Sequence, residues 1–240
     1  MKATNQKDNP VYVIMGKRPV VGPLSITGIL ALAGVLGPLV LIAGDFSAAF
    51  TSPHYNLFHD SISSLALTRM GWLQTIGFLA IGLLVEIFVA GLLFNIRPRR
   101  GFRPSVALLV FFGFGLLMVG AFRTDPVGAA GTIEGTIHGI ASKAVFFIFP
   151  VAVLLIAASL RSDPRWKRLS IYTVVAGILG FLLIVAVFLA DNTSWFGLFE
   201  RLLVVNMIVW VEVIAIQLLR LSLGWGPKME ESRPVAESGA

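Results

Sequence analysis

The chain is 240 residues long, 56% hydrophobic and only 13% charged, with a mean hydropathy of +0.85. A soluble domain carries about a quarter of its residues as charges, so this chain lacks the polar surface that a water-soluble fold needs, and disordered and collagen-like classes are excluded as well. It has no cysteine, which removes disulfide scaffolds, thiolate metal sites and cysteine nucleophiles.

Residues 1–21 are polar and basic, with Lys2, Lys7, Lys17 and Arg18. They resemble the start of a signal peptide. The apolar run that follows, 23–43, exceeds the roughly 7–15 residues of a signal-peptide core. It reads as a retained first span, although Ser47-Ala48-Ala49 offers small residues of the kind found at cleavage sites. Crossing about 30 Å of hydrocarbon takes about 20 mostly apolar residues in a helix. Six stretches qualify: 22–43, 72–95, 104–122, 137–160, 169–190 and 198–219. Leu, Ala, Gly and Phe dominate them without strand-like alternation, so the expected fold is an all-α integral membrane bundle of six transmembrane helices, occupying 22–220. Pro38 and Pro150 fall inside spans and predict kinks. Gly34, Gly77, Gly82 and Gly113, among others, predict close helix contacts. Residues 221–240 read as a polar cytoplasmic tail.

The basic residues alternate with the spans. The N-terminal segment, the second connection (Arg97, Arg99, Arg100, Arg103), the fourth (Arg161, Arg165, Lys167, Arg168) and the tail (Arg220, Lys228, Arg233) hold most of them. The other face has Arg69, Arg123 and Arg201. By the positive-inside rule both termini are cytoplasmic, in the cell membrane. The net charge of +6 and isoelectric point near 10.1 therefore report orientation, with anionic lipid as the expected partner and nucleic acid not required. A membrane-protein partner or a second copy of the chain is the other class of partner expected. No cofactor fingerprint is present.

On the outer face, His59-Asp60-Ser61-Ile62-Ser63-Ser64-Leu65 runs into Gly71-Trp72-Leu73 and a helix bearing Gly77 and Gly82. Later come Asp125-Pro126, His138, and Phe196-Gly197-Leu198-Phe199-Glu200-Arg201-Leu202, with Trp210 beyond. This order resembles a prokaryotic membrane-protein family catalogued as domain of unknown function 998, over roughly residues 28–219. Members of that family often carry an acidic residue and a glycine where this chain has Ser64 and Ala66. The resemblance implies a six-helix bundle and supplies no established substrate or reaction.

The polar residues of the outer face form the candidate pocket: His59, Asp60, Ser61, Ser63, Asp125, Glu134, His138, Lys143, Glu200 and Arg201. Asp60 is placed to cap a short helix before the second span, and Asp125 beside Pro126 reads as a turn residue. His138 shares a helix face with Glu134 and Ser142. Lys143 either snorkels to the outer interface or pairs with Asp60, Asp125 or Glu200, and pairing is favoured because a lipid-facing lysine costs about 2.5–3.5 kcal/mol. Glu200 suits the positive end of the sixth helix. His59, Asp125 and His138 are candidate metal ligands on separate loops, without the spacing of a metal-binding helix. Glu86 and Glu212 lie deepest, each roughly 21 Å along its helix at about 1.5 Å per residue, where they could meet, share a proton or bind a cation; the simpler expectation is a protonated acid bonded across helices.

Three functions fit these features. The first is a non-catalytic module binding a lipid, small ligand or partner through the outer polar pocket. The second is an intramembrane metal-dependent hydrolase acting on lipid through His59, Asp60, Asp125 and His138. The third is a proton- or cation-coupled carrier using Glu86 and Glu212, for which neither an inverted repeat nor a pair of broken helices is visible.

Overall fold

Long apolar stretches without internal breaks give long helices, and the computed structural model, which describes residues 25–191 and 193–225, shows six of them. They are α1 (Ile26–Phe50), α2 (Gly71–Asn95), α3 (Phe102–Ala121), α4 (Ile133–Ser162), α5 (Lys167–Ala190) and α6 (Phe196–Ser222). A short 3-10 helix, Ile62–Leu67, lies between α1 and α2. All six α-helices are long and apolar enough to cross a membrane, and no strand is present among the described residues. The basic segment 1–21, the start of the predicted first span and the tail from residue 226 lie outside the described residues.

Several helices run further than hydropathy indicates, most of all at the end of α1 and the start of α4. The first span is expected to end at residue 43, yet α1 continues through Asp45 and Ser47-Ala48-Ala49 to Phe50. A charge lowers hydropathy without breaking the backbone. Termination comes at Thr51, whose hydroxyl donates to the carbonyls of Ser47 (2.9 Å) and Ala48 (3.0 Å). Similarly, α4 starts four residues before its apolar stretch, because Thr132 caps it by accepting the Gly135 N–H at 3.0 Å.

Each helix packs against its neighbours in sequence, and α6 returns to α1, so the six form a closed ring, with α2 and α6 touching across it. Phe88, Phe112, Phe149 and Trp210 fill the interior. The Phe149 ring sits 5.4 Å from that of Phe112 and meets Trp210 edge-on at 5.7 Å. The Trp210 indole N–H donates to Thr173 Oγ1 at 3.2 Å, satisfying the polar end of a buried ring. Outward, Phe111, Leu182 and Leu189 are exposed, as expected for surfaces that lipid covers. Small residues let backbones approach: a Cβ on Gly44 would lie 2.7 Å from the Leu73 carbonyl oxygen of α2, and one on Gly82 would lie 2.8 Å from the Leu117 amide of α3.

The α4–α5 corner is pinned by charge. Arg165 donates to both oxygens of Asp163, at 3.1 and 2.7 Å, and to the Asn95 carbonyl at 2.8 Å, while Gln217 of α6 donates to the Arg165 carbonyl at 2.8 Å. Partial desolvation works to raise the Asp163 pKa, but the hydrogen bonds and charge of Arg165 outweigh it and hold the carboxyl below its ordinary range. A depressed carboxyl contributes stability above its unfolded pKa of about 3.9 and loses it as pH falls through the lower folded value. Asp163→Asn is thus expected to cost about 2 kcal/mol at neutral pH and to flatten the acid limb of the stability profile. Thermal unfolding in detergent between neutral pH and about pH 3 reads both effects.

Candidate functional site

The opposite end of the bundle is built on the first turns of α6. Glu200 is only 7% exposed, and its Oε2 accepts the Ile62 N–H at 2.7 Å. That amide opens the 3-10 helix, where helical geometry supplies no acceptor. The cap of this helix is Ser61, whose extended backbone (φ −63°, ψ 153°) aims its Oγ at the Ser64 N–H, 3.1 Å away. Asp60, the expected cap, sits one residue too early. Its carboxylate instead accepts the Asn56 N–H and pairs with His59 Nδ1, both at 2.8 Å. Slight desolvation opposes the shift, but these bonds and nearby Arg201 hold the Asp60 carboxyl below its ordinary range.

Arg201 clamps the same connection. One guanidinium nitrogen donates to the carbonyls of Leu57 (2.7 Å), Asp60 (2.8 Å) and Gly197 (2.9 Å), the other to the Tyr55 hydroxyl, and the cation lies over the Tyr55 ring. Burial pushes the Tyr55 phenol above its ordinary range, with Arg201 opposing, so it stays neutral and donates to the Ser61 carbonyl at 2.8 Å. Gly197 makes this fit possible: a Cβ there would lie 2.4 Å from the Asp60 carbonyl oxygen.

His138, 6% exposed on α4, joins a third element. Its Nδ1 lies 2.8 Å from the Phe122 carbonyl and 3.1 Å from that of Val119, and its Nε2 lies 2.9 Å from Ser63 Oγ. His138, Ser63 and Glu200 line one cavity of about 380 Å³ between α4, α5, the start of α6 and the 3-10 helix. Ser61, Thr124, Ser142, Lys143 and Asp191 complete its polar part, and Phe146, Ile184, Val187 and Phe188 form an apolar wall. A narrower hollow continues inward past Ser63, Ser142 and Glu200. The Ser142 hydroxyl is buried and has no hydrogen-bond partner among the described residues.

The match to a family now rests on a full helical frame. The family described as protein of unknown function DUF998 matches residues 35–217. The chain belongs to it. The matched region takes in α2 to α5 whole and most of α1 and α6, and includes Ser63, His138 and Glu200. No curated protein and no solved structure matches this DUF998 chain.

Of the ten candidate pocket residues, Ser61, Ser63, His138, Lys143 and Glu200 line the cavity. Lys143 is exposed there and forms no ion pair with Asp60, Asp125 or Glu200 among the described residues. Arg201 lines a separate hollow of about 190 Å³ between α1 and α6, with Asp45. His59 and Asp60 engage each other. Asp125 is partly exposed and accepts the Thr132 N–H (3.0 Å) and hydroxyl (2.7 Å), which hold its carboxyl below the ordinary range. Glu134 is exposed on the first turn of α4. His59, Asp125 and His138 are therefore not brought together, and no three His, Asp or Glu among the described residues converge as metal ligands. Glu86 faces α3, where a Cβ on Gly113 would lie 2.7 Å from its Oε1, whereas Glu212 is on α6 and its Oε2 has no hydrogen-bond partner among the described residues. The two carboxyls do not bond each other.

Thr124, Gly139 and the wall of Phe146, Ile184, Val187 and Phe188 were not legible as site residues. Their types are ordinary for a membrane protein, and only Thr124, beside Asp125, and Gly139, beside His138, had a neighbour to draw attention to them.

Proposed function

We propose that this protein is a binding module of the cell membrane for an amphiphile, a lipid or a lipid-like small molecule, with both termini cytoplasmic and the cavity on the extracytoplasmic side. The orientation rests on the alternation of Lys and Arg between connections. The observation that carries the function is the cavity itself. At about 380 Å³ it lies within the range of roughly 300–1,000 Å³ typical of small-molecule sites. It grades from Lys143, Glu200, Ser63 and Ser142 to Phe146, Ile184, Val187 and Phe188. A polar headgroup would satisfy the buried Ser142 hydroxyl, which costs about 1–3 kcal/mol while unpaired, and an apolar body would cover the wall. Closed membrane helices need no such graded hollow for packing alone.

Gly139 supplies the test, because it lines the cavity and a Cβ there would meet nothing within 4 Å. Gly139→Leu is expected to leave the bundle intact, with unchanged or slightly raised thermal stability, since a helical glycine costs up to about 1 kcal/mol. Native mass spectrometry on protein extracted in mild detergent should show a stoichiometric amphiphile on the wild type and at least roughly ten-fold less on Gly139→Leu, the equivalent of about 1.4 kcal/mol. Equal retention by both proteins, or none by the wild type, would overturn the reading.

A further inference from the structure

Binding alone leaves the most specific contact of the cavity unused. His138 Nδ1 faces two carbonyl oxygens, Phe122 at 2.8 Å and Val119 at 3.1 Å. Two acceptors assign the ring proton to Nδ1. In the neutral ring Nε2 then carries the lone pair, so the Ser63 hydroxyl, 2.9 Å away, is the donor. A hydroxyl bonded to a base that a third group orients is the general arrangement of an activated nucleophile. Here backbone carbonyls from the end of α3 hold the imidazole tautomer, the orienting role a carboxylate plays in Ser-His-Asp sites.

Local structure holds the pair in place. Ser63 stands in the first turn of the 3-10 helix, which Ser61 caps and Glu200 anchors. His138 is fixed on α4 and almost fully buried. Both open onto the cavity, so a bound molecule reaches the Ser63 oxygen without displacing a helix.

We propose that Ser63 is a nucleophile and His138 its general base, acting on a carboxylic ester carried by the amphiphile. Ser63 Oγ attacks the ester carbonyl carbon while its proton passes to His138 Nε2. The carbon–oxygen bond to the alcohol breaks, and the imidazolium returns the proton to the departing oxygen, leaving an acyl ester on Ser63. Water then attacks that ester, gives a proton to Nε2, and releases the carboxylic acid as Ser63 regains its hydrogen. The sum is ester plus water to acid plus alcohol. The apolar wall suits an acyl chain, which sets the substrate class. This inference rests on the binding reading for delivery of the ester, while the test separates the two.

The full chain in detergent is treated with a long-chain alkyl fluorophosphonate, which phosphonylates activated serines, and the adduct is located by peptide mass spectrometry. One adduct per chain, on Ser63, is expected. His138→Gln keeps an amide donor for the carbonyls and an acceptor for Ser63 but takes no proton, so it should slow labelling by at least roughly 100-fold while thermal stability stays near that of the wild type. A strut between helices would not show that split. The small change Ser63→Ala provides the independent measurement: turnover of a nitrophenyl ester of a medium-chain acid, present in the wild type, should vanish. No adduct on Ser63, labelling of His138→Gln at the wild-type rate, or equal turnover by Ser63→Ala overturns the proposal. A retained amphiphile without an adduct overturns catalysis and upholds binding; an adduct on protein that retains no amphiphile does the reverse.

Discussion

Arg201→Ala is expected to destabilise the protein by about 3 kcal/mol and to release the connection between α1 and the 3-10 helix. The guanidinium satisfies the carbonyls of Leu57, Asp60 and Gly197 at 2.7–2.9 Å and engages Tyr55. Alanine removes these together, and with them the cation next to buried Glu200, whose carboxylate holds the Ile62 amide. Arg201→Lys should recover little, because one ammonium cannot reproduce a planar fork that reaches several acceptors. Unfolding temperature in detergent gives the energetic effect. Limited proteolysis gives the local one: cleavage within 51–60 should rise many-fold in Arg201→Ala at temperatures where the helices remain intact. Unchanged resistance of that segment would show that the contacts of Arg201 do not hold it.

The second large effect is steric. Gly197→Ala should cost about 2–3 kcal/mol, more than alanine at any exposed helical position, because its Cβ would lie 2.4 Å from the Asp60 carbonyl oxygen and 3.0 Å from the Asp60 amide nitrogen. Those are backbone atoms and cannot swing aside as a side chain would. The neighbouring Leu198 N–H donates to the Phe58 carbonyl at 3.0 Å, so any shift that relieves the clash also strains that bond. Gly139→Ala is the control, with open space around the new methyl group and an expected gain of a few tenths to about 1 kcal/mol. Thermal unfolding of the two variants side by side should separate them clearly; similar values would mean that the α6 start and the connection do not press together.

The number of membrane helices was readable because lipid demands long apolar stretches, and each stretch announces itself. Their ends were less readable, since hydropathy tracks depth in the membrane and the backbone answers to other signals. Asp45 lowers the apolar count at residue 45, yet α1 continues until the Thr51 hydroxyl closes it. Around the site, residue types were legible and partners were not. His138 and Glu200 stood out as polar groups in apolar surroundings, but their contacts with Ser63 and Ile62 span 75 and 138 positions, and no local pattern encodes such pairing. Asp60 shows the same limit at short range. Its type suits a cap, and a one-residue difference in backbone angle gave that role to Ser61. Lys143 was expected in an ion pair and instead stands exposed on the cavity.

The anchoring of the 3-10 helix by α6 also fixes an order of assembly. Ser61 to Leu67 leave the ribosome early, whereas Glu200, which holds the Ile62 amide, follows 138 residues later. At roughly 5–20 residues per second, that gap is on the order of ten seconds. Throughout it the segment must rest in the headgroup layer, where water can serve its backbone groups, with His138 arriving midway as a first tether. Only the docking of the sixth helix turns this strip of interfacial chain into a wall, so the cavity does not exist until the first five helices are already in place.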